Sequence, residues 1–246
     1  DKFIDIQRKE FKRLGVLGDW DHPYKTMLPE YESATATELA NFVEKGNVVR
    51  SKKPIYWCCS CQTALAEAEV EYADHKSPSI YVRFPLTDDR LKTVFENADP
   101  SRAYVIIWTT TTWTLPANVA TCLNPSLEYA FVKIGDEYHL MAAGLVESTM
   151  KACHIEDYEV LEPRVLGAEF ELMQYQHPFL DRKGLVILGD HVTLEGGTGC
   201  VHTAPGHGVE DFEVCVNHYP QVPVIVPVDD GGYLTEEAGK EFAGLK

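Results

Sequence analysis

The chain reads Ile107-Trp-Thr-Thr-Thr-Thr-Trp-Thr-Leu-Pro-Ala-Asn118 and, most of a domain later, Gly197-Thr-Gly-Cys-Val-His-Thr-Ala-Pro-Gly-His-Gly-Val-Glu-Asp211. The first stretch carries an apolar strand into a run of hydroxyls and closes in a turn. The second is a glycine-rich strand that ends in a corner of histidine, proline, glycine and aspartate. Side by side, they would line a polar, metal-free pocket with one fixed carboxylate.

The surrounding sequence predicts a mainly β chain with flanking helices, in the α+β class. Period-two patterns indicate strands over residues 79–85, 103–111, 128–134 and 185–188. Helical spacing indicates helices over residues 3–14, 28–46, 91–97, 143–152 and 209–219. Many short strands with few long helices favour a closed or sandwiched β core. The change of pattern near residues 50–62 predicts a helical segment over 1–62 and a β domain over 63–246.

Composition sets broad limits on function. The chain has 22 basic and 38 acidic residues, a net charge of −16, and such a surface repels phosphate backbones on average. A nucleic-acid partner should therefore meet a local patch, while other domains supply most of the affinity. No stretch reaches the roughly 18 consecutive apolar residues of a membrane span. Seven cysteines without a disulfide pattern indicate a reducing compartment, the cytoplasm. The chain begins at Asp1 without a methionine, so we expect it to be cut from a longer one.

The threonine run can be interpreted in two ways. Threonine is a good strand former, so the run can simply be an exposed edge strand. Alternatively, Thr109, Thr110 and Thr111 form a hydrogen-bonding wall, because hydroxyls donate and accept without charge and suit a ribose, a water or an ester oxygen. Trp113 then offers its face to a base, since base–aromatic stacking is worth about 1–3 kcal/mol.

The second stretch places Asp211 in the first turn of a predicted helix. Acids favour this position in any helix, because they bind free amides and oppose the helix dipole. The same position keeps the carboxylate ionised, and an ionised carboxylate binds an ammonium group. His202 on the strand is either a satisfied core histidine or part of the pocket, and His207 lies between two glycines. Gly199 and His207 join His202, Trp113 and Asp211 as substrate-binding candidates.

The Cys58-Cys59-Ser60-Cys61 cluster contains a Cys-x-x-Cys, which is half of a tetrahedral zinc site. The other cysteines are isolated in the sequence and form no matching pair. Cys58 and Cys61 are therefore either unpaired thiols or half a site that needs cysteines outside this sequence. The chain has no Gly-x-Ser-x-Gly elbow, no His-Glu-x-x-His helix and no Walker loop.

Several segments together resemble the editing insertion, connective peptide 1, of isoleucyl-tRNA synthetases. They are residues 11–20, 22–24, 65–72, 108–118, 177–179 and 197–211, spread over nearly the whole chain. Valyl- and leucyl-tRNA synthetases have related insertions. The stretches Leu-Gly-Val-Leu-Gly-Asp-Trp at 14–20 and Ala-Glu-Ala-Glu-Val-Glu-Tyr at 66–72 favour the isoleucyl type.

The resemblance implies a closed six-stranded β-barrel core that hydrolyses the ester joining a wrong amino acid, chiefly valine, to the terminal adenosine of tRNA-Ile. A second pocket is needed because one methylene gives only about 1–3 kcal/mol of discrimination, a limit for which isoleucyl enzymes are themselves the standard example. The implied partners are the 3′ end of aminoacylated tRNA-Ile and the remainder of the synthetase chain. Neither signature of the ATP-dependent catalytic domain is present, so this chain should not activate amino acids.

The resemblance also implies roles for single residues. Asp211 would grip the α-ammonium, and His202 would leave no room for the extra methylene of isoleucine. The residues Thr109–Thr111 would contact the ribose, the ester and the attacking water, with Trp113 near the adenine. No cofactor is implied for editing. A neighbouring ribose hydroxyl and polarised water would act as the base, with hydroxyls and amides stabilising the oxyanion.

One position departs from the family pattern, which has proline after the third threonine where this chain has Thr112. The change adds a backbone N–H and loosens the turn, since proline fixes φ. The family's second cysteine pair is also absent, so zinc would require cysteines outside this sequence.

Two other interpretations stay open. The chain could be a non-catalytic module that binds the tRNA 3′ end, as in a valyl- or leucyl-type insertion. It could also be a zinc-knuckle interaction domain centred on Cys58 and Cys61. A deacylation assay separates the first from an editing hydrolase, and metal analysis of the purified protein tests the second.

Overall fold

The computed structural model describes residues 2–95 and 99–246. The chain forms two compact units, Asp1–Lys52 and Lys53–Lys246. The division that the sequence predicts between residues 62 and 63 stays a prediction.

The first unit contains two helices, α1 (Lys2–Arg13) and α2 (Pro29–Glu44). Each is followed by a glycine with positive φ, Gly15 at 79° and Gly46 at 73°, a left-handed conformation that glycine adopts readily. Pro29 begins α2, because its fixed φ suits a first helical position and its missing N–H is not needed there. Both predicted helices are confirmed.

The second unit is built mainly from short strands. Its strands are β1 (Trp57–Cys58), β2 (Thr63–Ala64), β3 (Ile80–Pro85), β4 (Ala103–Thr109), β5 (Ala120–Leu123), β6 (Glu128–Ile134), β7 (Glu137–Ala142), β8 (Glu159–Val160), β9 (Val165–Leu166), β10 (Gln174–Gln176), β11 (Lys183–Leu188) and β12 (Cys200–Thr203). Its helices are α3 (Leu91–Val94), α4 (Val146–Ala152) and α5 (Val209–His218).

The predicted elements of this unit are largely confirmed. The four predicted strands correspond to β3, β4, β6 and β11, although β4 ends two residues before the predicted end at 111. The helices predicted at 143–152 and 209–219 correspond to a 3₁₀ turn with α4, and to α5. Helix α3 covers only part of the helix predicted over 91–97, of which residues 96 and 97 lie outside the described residues. Within the described residues, we find no helix with the length and apolar character needed to cross a bilayer.

Strands β3 to β12 form two mixed sheets. The larger has the order β3-β4-β7-β6-β8, with β9 paired to another part of β6, and the smaller has the order β10-β11-β5-β12. The pairs β4–β7 and β11–β5 are parallel, and the other pairs of these sheets are antiparallel. Strands β1 and β2 form a separate hairpin.

The expected closed six-stranded barrel is wrong: in the described part of the chain both sheets are open. The reason is visible where the two sheets approach each other, at β4 and the start of β12. Gly197 and Gly199 have φ of 72° and 71° and turn the chain, so that the hydroxyl of Thr198 donates to the carbonyl of Ile106 at 2.6 Å. A side chain thus occupies an acceptor that a closing strand ladder would use, and the Thr198 carbonyl accepts from Ala142 N–H instead, at 2.8 Å.

The core lies where the two sheets face each other. It is made of alternate, fully buried side chains from both sheets: Phe84, Val105, Ile107, Phe131, Leu140, Tyr175 and Val186. The rings of Phe84 and Tyr175 meet edge to face with centroids 5.2 Å apart. Helix α5 packs Cys215 against Cys122 and Ile187 of the smaller sheet, so the helix start that carries Asp211 is fixed to the sheet that carries His202.

Candidate active site

The threonine run lies at the end of β4, where the strand turns into a 3₁₀ helix over Thr112–Ala117. The N–H of Thr111 donates to Thr109 Oγ1 at 3.0 Å, and the hydroxyl of Ser77 donates to the Thr110 carbonyl. These bonds replace the strand ladder, which explains why β4 ends early. Thr109 is buried, Thr110 is exposed and Thr111 is half-buried.

The side chain of His202 joins the two polar stretches. Asn118 Nδ2 lies 2.8 Å from His202 Nδ1, and Thr114 Oγ1 lies 3.0 Å from His202 Nε2. Because an amide nitrogen only donates, Nδ1 accepts and the ring proton lies on Nε2, which donates to Thr114. The Thr114 hydroxyl in turn donates to the Thr111 carbonyl at 2.9 Å. Burial is the main cause that lowers the pKa of His202 to about 4, so the ring is neutral at physiological pH.

A buried tyrosine, Tyr175, fixes the side chain of Asn118 by a hydrogen bond. The hydroxyl of Tyr175 on β10 donates to Asn118 Oδ1 at 2.5 Å, while Asn118 Nδ2 also donates to the Ala120 carbonyl at 3.0 Å. Tyr175 is fully buried, and its ring covers Gly184, where a Cβ would lie 2.1 Å from the ring. The orientation of the Asn118 amide, and with it that of His202, is therefore set by the core.

The 3₁₀ turn between the threonine run and Asn118 is held by two more side chains. His177 Nδ1 accepts from Leu180 N–H at 3.2 Å, so its Nε2–H donates to the Leu115 carbonyl at 3.0 Å. Arg182 Nη1 donates to the carbonyls of Pro116 and Asn118 at 2.7 and 3.2 Å. These bonds fix the turn that begins at Thr112.

Replacing Tyr175 with phenylalanine should lower the free energy of unfolding by about 1–3 kcal/mol. The substitution keeps the ring but leaves the buried Asn118 Oδ1 without its donor, and an unsatisfied buried acceptor costs about that much. Urea unfolding of the purified protein measures the difference. The matched control is Tyr72→Phe, since Tyr72 is 81% exposed and should change stability by no more than about 0.5 kcal/mol. Equal effects of the two substitutions would contradict the bracing role of Tyr175.

Asp211 lies in the first turn of α5, as predicted, and faces the end of β12. Its Oδ2 accepts from Ala204 N–H at 2.9 Å, two residues after His202. Among the residues that the structure describes, no hydrogen bond occupies Oδ1. Burial raises the pKa of Asp211, and the bond from Ala204 and the nearby His191 oppose that shift. A half-buried carboxylate with one free oxygen can bind a cation, and a bound ammonium would favour its ionised form.

The remaining candidates have different surroundings. Gly199 has positive φ and lies so close to Ala142 that a Cβ would come within 2.3 Å of its Cβ, so it is required for packing. The indole of Trp113 is 55% exposed. His207 lies in the loop before α5, and burial lowers its pKa. The described residues contain no hydrogen bond between Asp211 and the threonine run. The substrate-binding roles of these residues stay predictions.

Cys58 and Cys61 lie at opposite ends of the turn between β1 and β2, and Cys61 N–H donates to Cys58 Sγ at 3.4 Å. In the described ranges, no group of three or more His, Cys, Asp or Glu side chains is arranged to hold a metal ion. The half zinc site therefore stays a prediction that depends on residues outside this sequence.

Three residues of this arrangement received no role from the sequence: Thr114, Asn118 and Tyr175. Thr114 and Asn118 belong to the quoted stretch, but polar residues in a turn are usually exposed, so nothing marked them as buried partners of a histidine. Tyr175 gave no signal, because a tyrosine in a short strand is common for packing alone.

Comparison with known sequences shows which class of protein this chain belongs to. The model of the tRNA synthetases class I family (I, L, M and V) matches residues 1–203, and the chain belongs to this family. Its relatives are isoleucine–tRNA ligases. It is 55% identical over 246 residues to that of Lawsonia intracellularis and 53% identical over 243 residues to that of Caldicellulosiruptor saccharolyticus.

The chain spans about a quarter of the length of these relatives. The two matches cover 100% and 99% of this chain and 26% of each relative. Among solved structures, the editing domain of the P. knowlesi cytosolic leucyl-tRNA synthetase matches with a TM-score of 0.47 and 11% identity, over 61% of this chain and 67% of that chain.

Proposed function

We propose that this chain is the editing part of an isoleucyl-tRNA synthetase and that it hydrolyses valyl-tRNA-Ile in the cytoplasm. The observation that carries the proposal is the link through His202, whose ring bonds to the turn after the threonine run and lies on the strand that leads to Asp211. The identity to isoleucine–tRNA ligases supports the choice of tRNA.

In the proposed reaction, water attacks the carbonyl carbon of the ester between valine and the terminal ribose. The bond from that carbon to the ribose oxygen breaks, and a proton of the water passes, with help from the neighbouring ribose hydroxyl, to the leaving oxygen. Asp211 Oδ1 binds the α-ammonium, since Oδ2 already accepts from Ala204. Hydroxyls of Thr109–Thr111 bind the ribose and the water and stabilise the developing oxyanion. No metal or cofactor takes part.

His202 sorts amino acids by size in this proposal. Hydrogen bonds at both ring nitrogens hold the imidazole, so it cannot easily turn aside for a larger side chain. A ring that could rotate would make room for the extra methylene of isoleucine, whereas a ring held in place excludes it. Valine would fit beside the ring and isoleucine would not.

The test is the deacylation of valyl-tRNA-Ile and isoleucyl-tRNA-Ile by the full-length protein that carries residues 1–246. We expect valine to be released more than about 10-fold faster than isoleucine, because the larger side chain would overlap the fixed ring. Binding of both tRNAs without loss of either ester would reject hydrolysis and leave a non-catalytic module for the tRNA 3′ end.

A further inference from the structure

The turn at residues 197–199, which leads into β12, is held to the larger sheet and to α4 by its own backbone carbonyls. In chain order, these carbonyls accept from Thr149 Oγ1 at 3.1 Å, from Ala142 N–H at 2.8 Å and from the Tyr129 hydroxyl at 2.6 Å. All three donor residues are buried. The turn is therefore fixed in place by bonds that involve none of its side chains.

The side chain of Thr198, in the middle of this turn, adds a bond of a different kind. Its hydroxyl donates to the Ile106 carbonyl of β4 at 2.6 Å and accepts from Cys200 N–H, at the start of β12, at 3.3 Å. Thr198 is 1% exposed, so water does not compete for these bonds. Among the described residues, no other hydrogen bond joins the turn to β4. One hydroxyl thus connects the strand that carries the threonine run with the strand that carries His202.

Two hydrogen bonds, far apart, set the position of β12 relative to β4. The two strands belong to different sheets, so no strand ladder fixes their spacing. One link is the bond between His202 and Thr114, and the other is the bond from Thr198 to Ile106. Ile106 precedes Thr109 by three residues, which is about 10 Å along a strand. A single link would let the strands pivot about it, whereas two separated links hold the gap at both ends.

We propose that Thr198 is a positioning residue that sets the width of the amino-acid pocket between the threonine run and His202. The inference rests on the proposed function, which places the valyl ester between these groups. Exclusion of one methylene requires that neither wall gives way, and the ring of His202 is only one of the two walls. Thr198 holds the other wall through Ile106, without touching the substrate itself.

Loss of the Thr198 hydroxyl should release β4 but leave the turn in place. Thr198→Val keeps the branched shape and nearly the volume of the side chain, and it leaves the three carbonyl bonds of the turn intact. It removes the donor to the Ile106 carbonyl, so the end of β4 can move away from His202. The expected consequence is a wider pocket that admits isoleucine.

The experiment measures deacylation of valyl-tRNA-Ile and isoleucyl-tRNA-Ile by the full-length protein that carries Thr198→Val. We expect the ratio of the valyl to the isoleucyl rate to fall by about 2- to 13-fold, the range for one neutral hydrogen bond. Thr198→Ser, which keeps the hydroxyl, should restore most of the ratio. A fall of both rates by the same factor would indicate a merely structural role and overturn the proposal, as would unchanged rates. If Thr198→Val does not fold, Thr198→Ala is judged by the same ratio.

The matched control is Thr149→Val. This substitution also removes a hydroxyl that is 1% exposed and bonds to the same turn, but its acceptor is the Gly197 carbonyl and not β4. It should therefore lower stability while keeping the wild-type ratio of the two rates. An equal fall of the ratio in Thr149→Val and Thr198→Val would assign the effect to the turn as a whole and overturn the specific role of Thr198.

A binding measurement separates failure of this inference from failure of the proposed function. If the wild-type protein hydrolyses neither ester, the proposed function fails, and the pocket is then judged by titration with amide-linked valyl-adenosine and isoleucyl-adenosine. A preference for the valyl compound that is lost in Thr198→Val would support the positioning role alone. The absence of a preference, or a preference that Thr198→Val retains, would overturn it.

Discussion

Asp211→Asn is expected to lower the rate of valyl-tRNA-Ile deacylation by about 150- to 5000-fold. The substitution keeps a side-chain oxygen for Ala204 N–H but removes the charge that would hold the ammonium. Breaking a buried charge pair typically costs about 3–5 kcal/mol, which corresponds to that range of rate. Single-turnover deacylation measures the loss. The neighbouring exposed acid in the same helical turn offers a matched control, since Glu210→Gln should leave the rate close to wild type.

The pH profile gives a second readout for Asp211. Burial raises the pKa of this carboxyl, and only the ionised form binds an ammonium, so the rate should fall as the pH drops through that raised pKa. The acid limb should be absent from the residual activity of Asp211→Asn. Retention of the full rate by Asp211→Asn would remove the assignment of Asp211 as the ammonium site.

His202→Ala should allow the protein to hydrolyse isoleucyl-tRNA-Ile. Removing the ring opens space for one more methylene, so the preference for valine over isoleucine should largely disappear. The measurement is the ratio of deacylation rates for the two tRNAs.

A second substitution separates size from hydrogen bonding at this position. His202→Phe fills the same space but cannot bond to Asn118 or Thr114, so it should still spare isoleucyl-tRNA-Ile while lowering stability. If His202→Ala also spares isoleucyl-tRNA-Ile, the ring is not the wall that sets the size limit.

Local patterns in the sequence predicted the helices and the strands β3, β4, β6, β11 and β12, but not the other strands or how the sheets close. The alternation around Val105 and Ile107 located β4, because this signal acts over a few residues. The closed barrel was wrong because strand partners depend on distant contacts. The bond from Thr198 to Ile106 joins residues 92 positions apart, and no local pattern encodes it.

The candidate site shows the same limit. The sequence identified the two stretches and placed Asp211 at a helix start, where the structure has it. It did not reveal that both ring nitrogens of His202 are occupied, since the partners come from a turn 84 and 88 residues away. The role of Tyr175 could not be predicted, because a buried aromatic residue in a strand is equally expected for packing.

The chain of donors that runs from Tyr175 through Asn118 to His202 and Thr114 has a consequence for the cell. Under the proposed function, the accuracy with which isoleucine codons are translated depends on a phenol in the protein interior, remote from any amino acid being inspected. Heat or a mutation that disturbs Tyr175 would therefore lead to valine in place of isoleucine in many cellular proteins. This would happen even though every residue that contacts the substrate is unchanged.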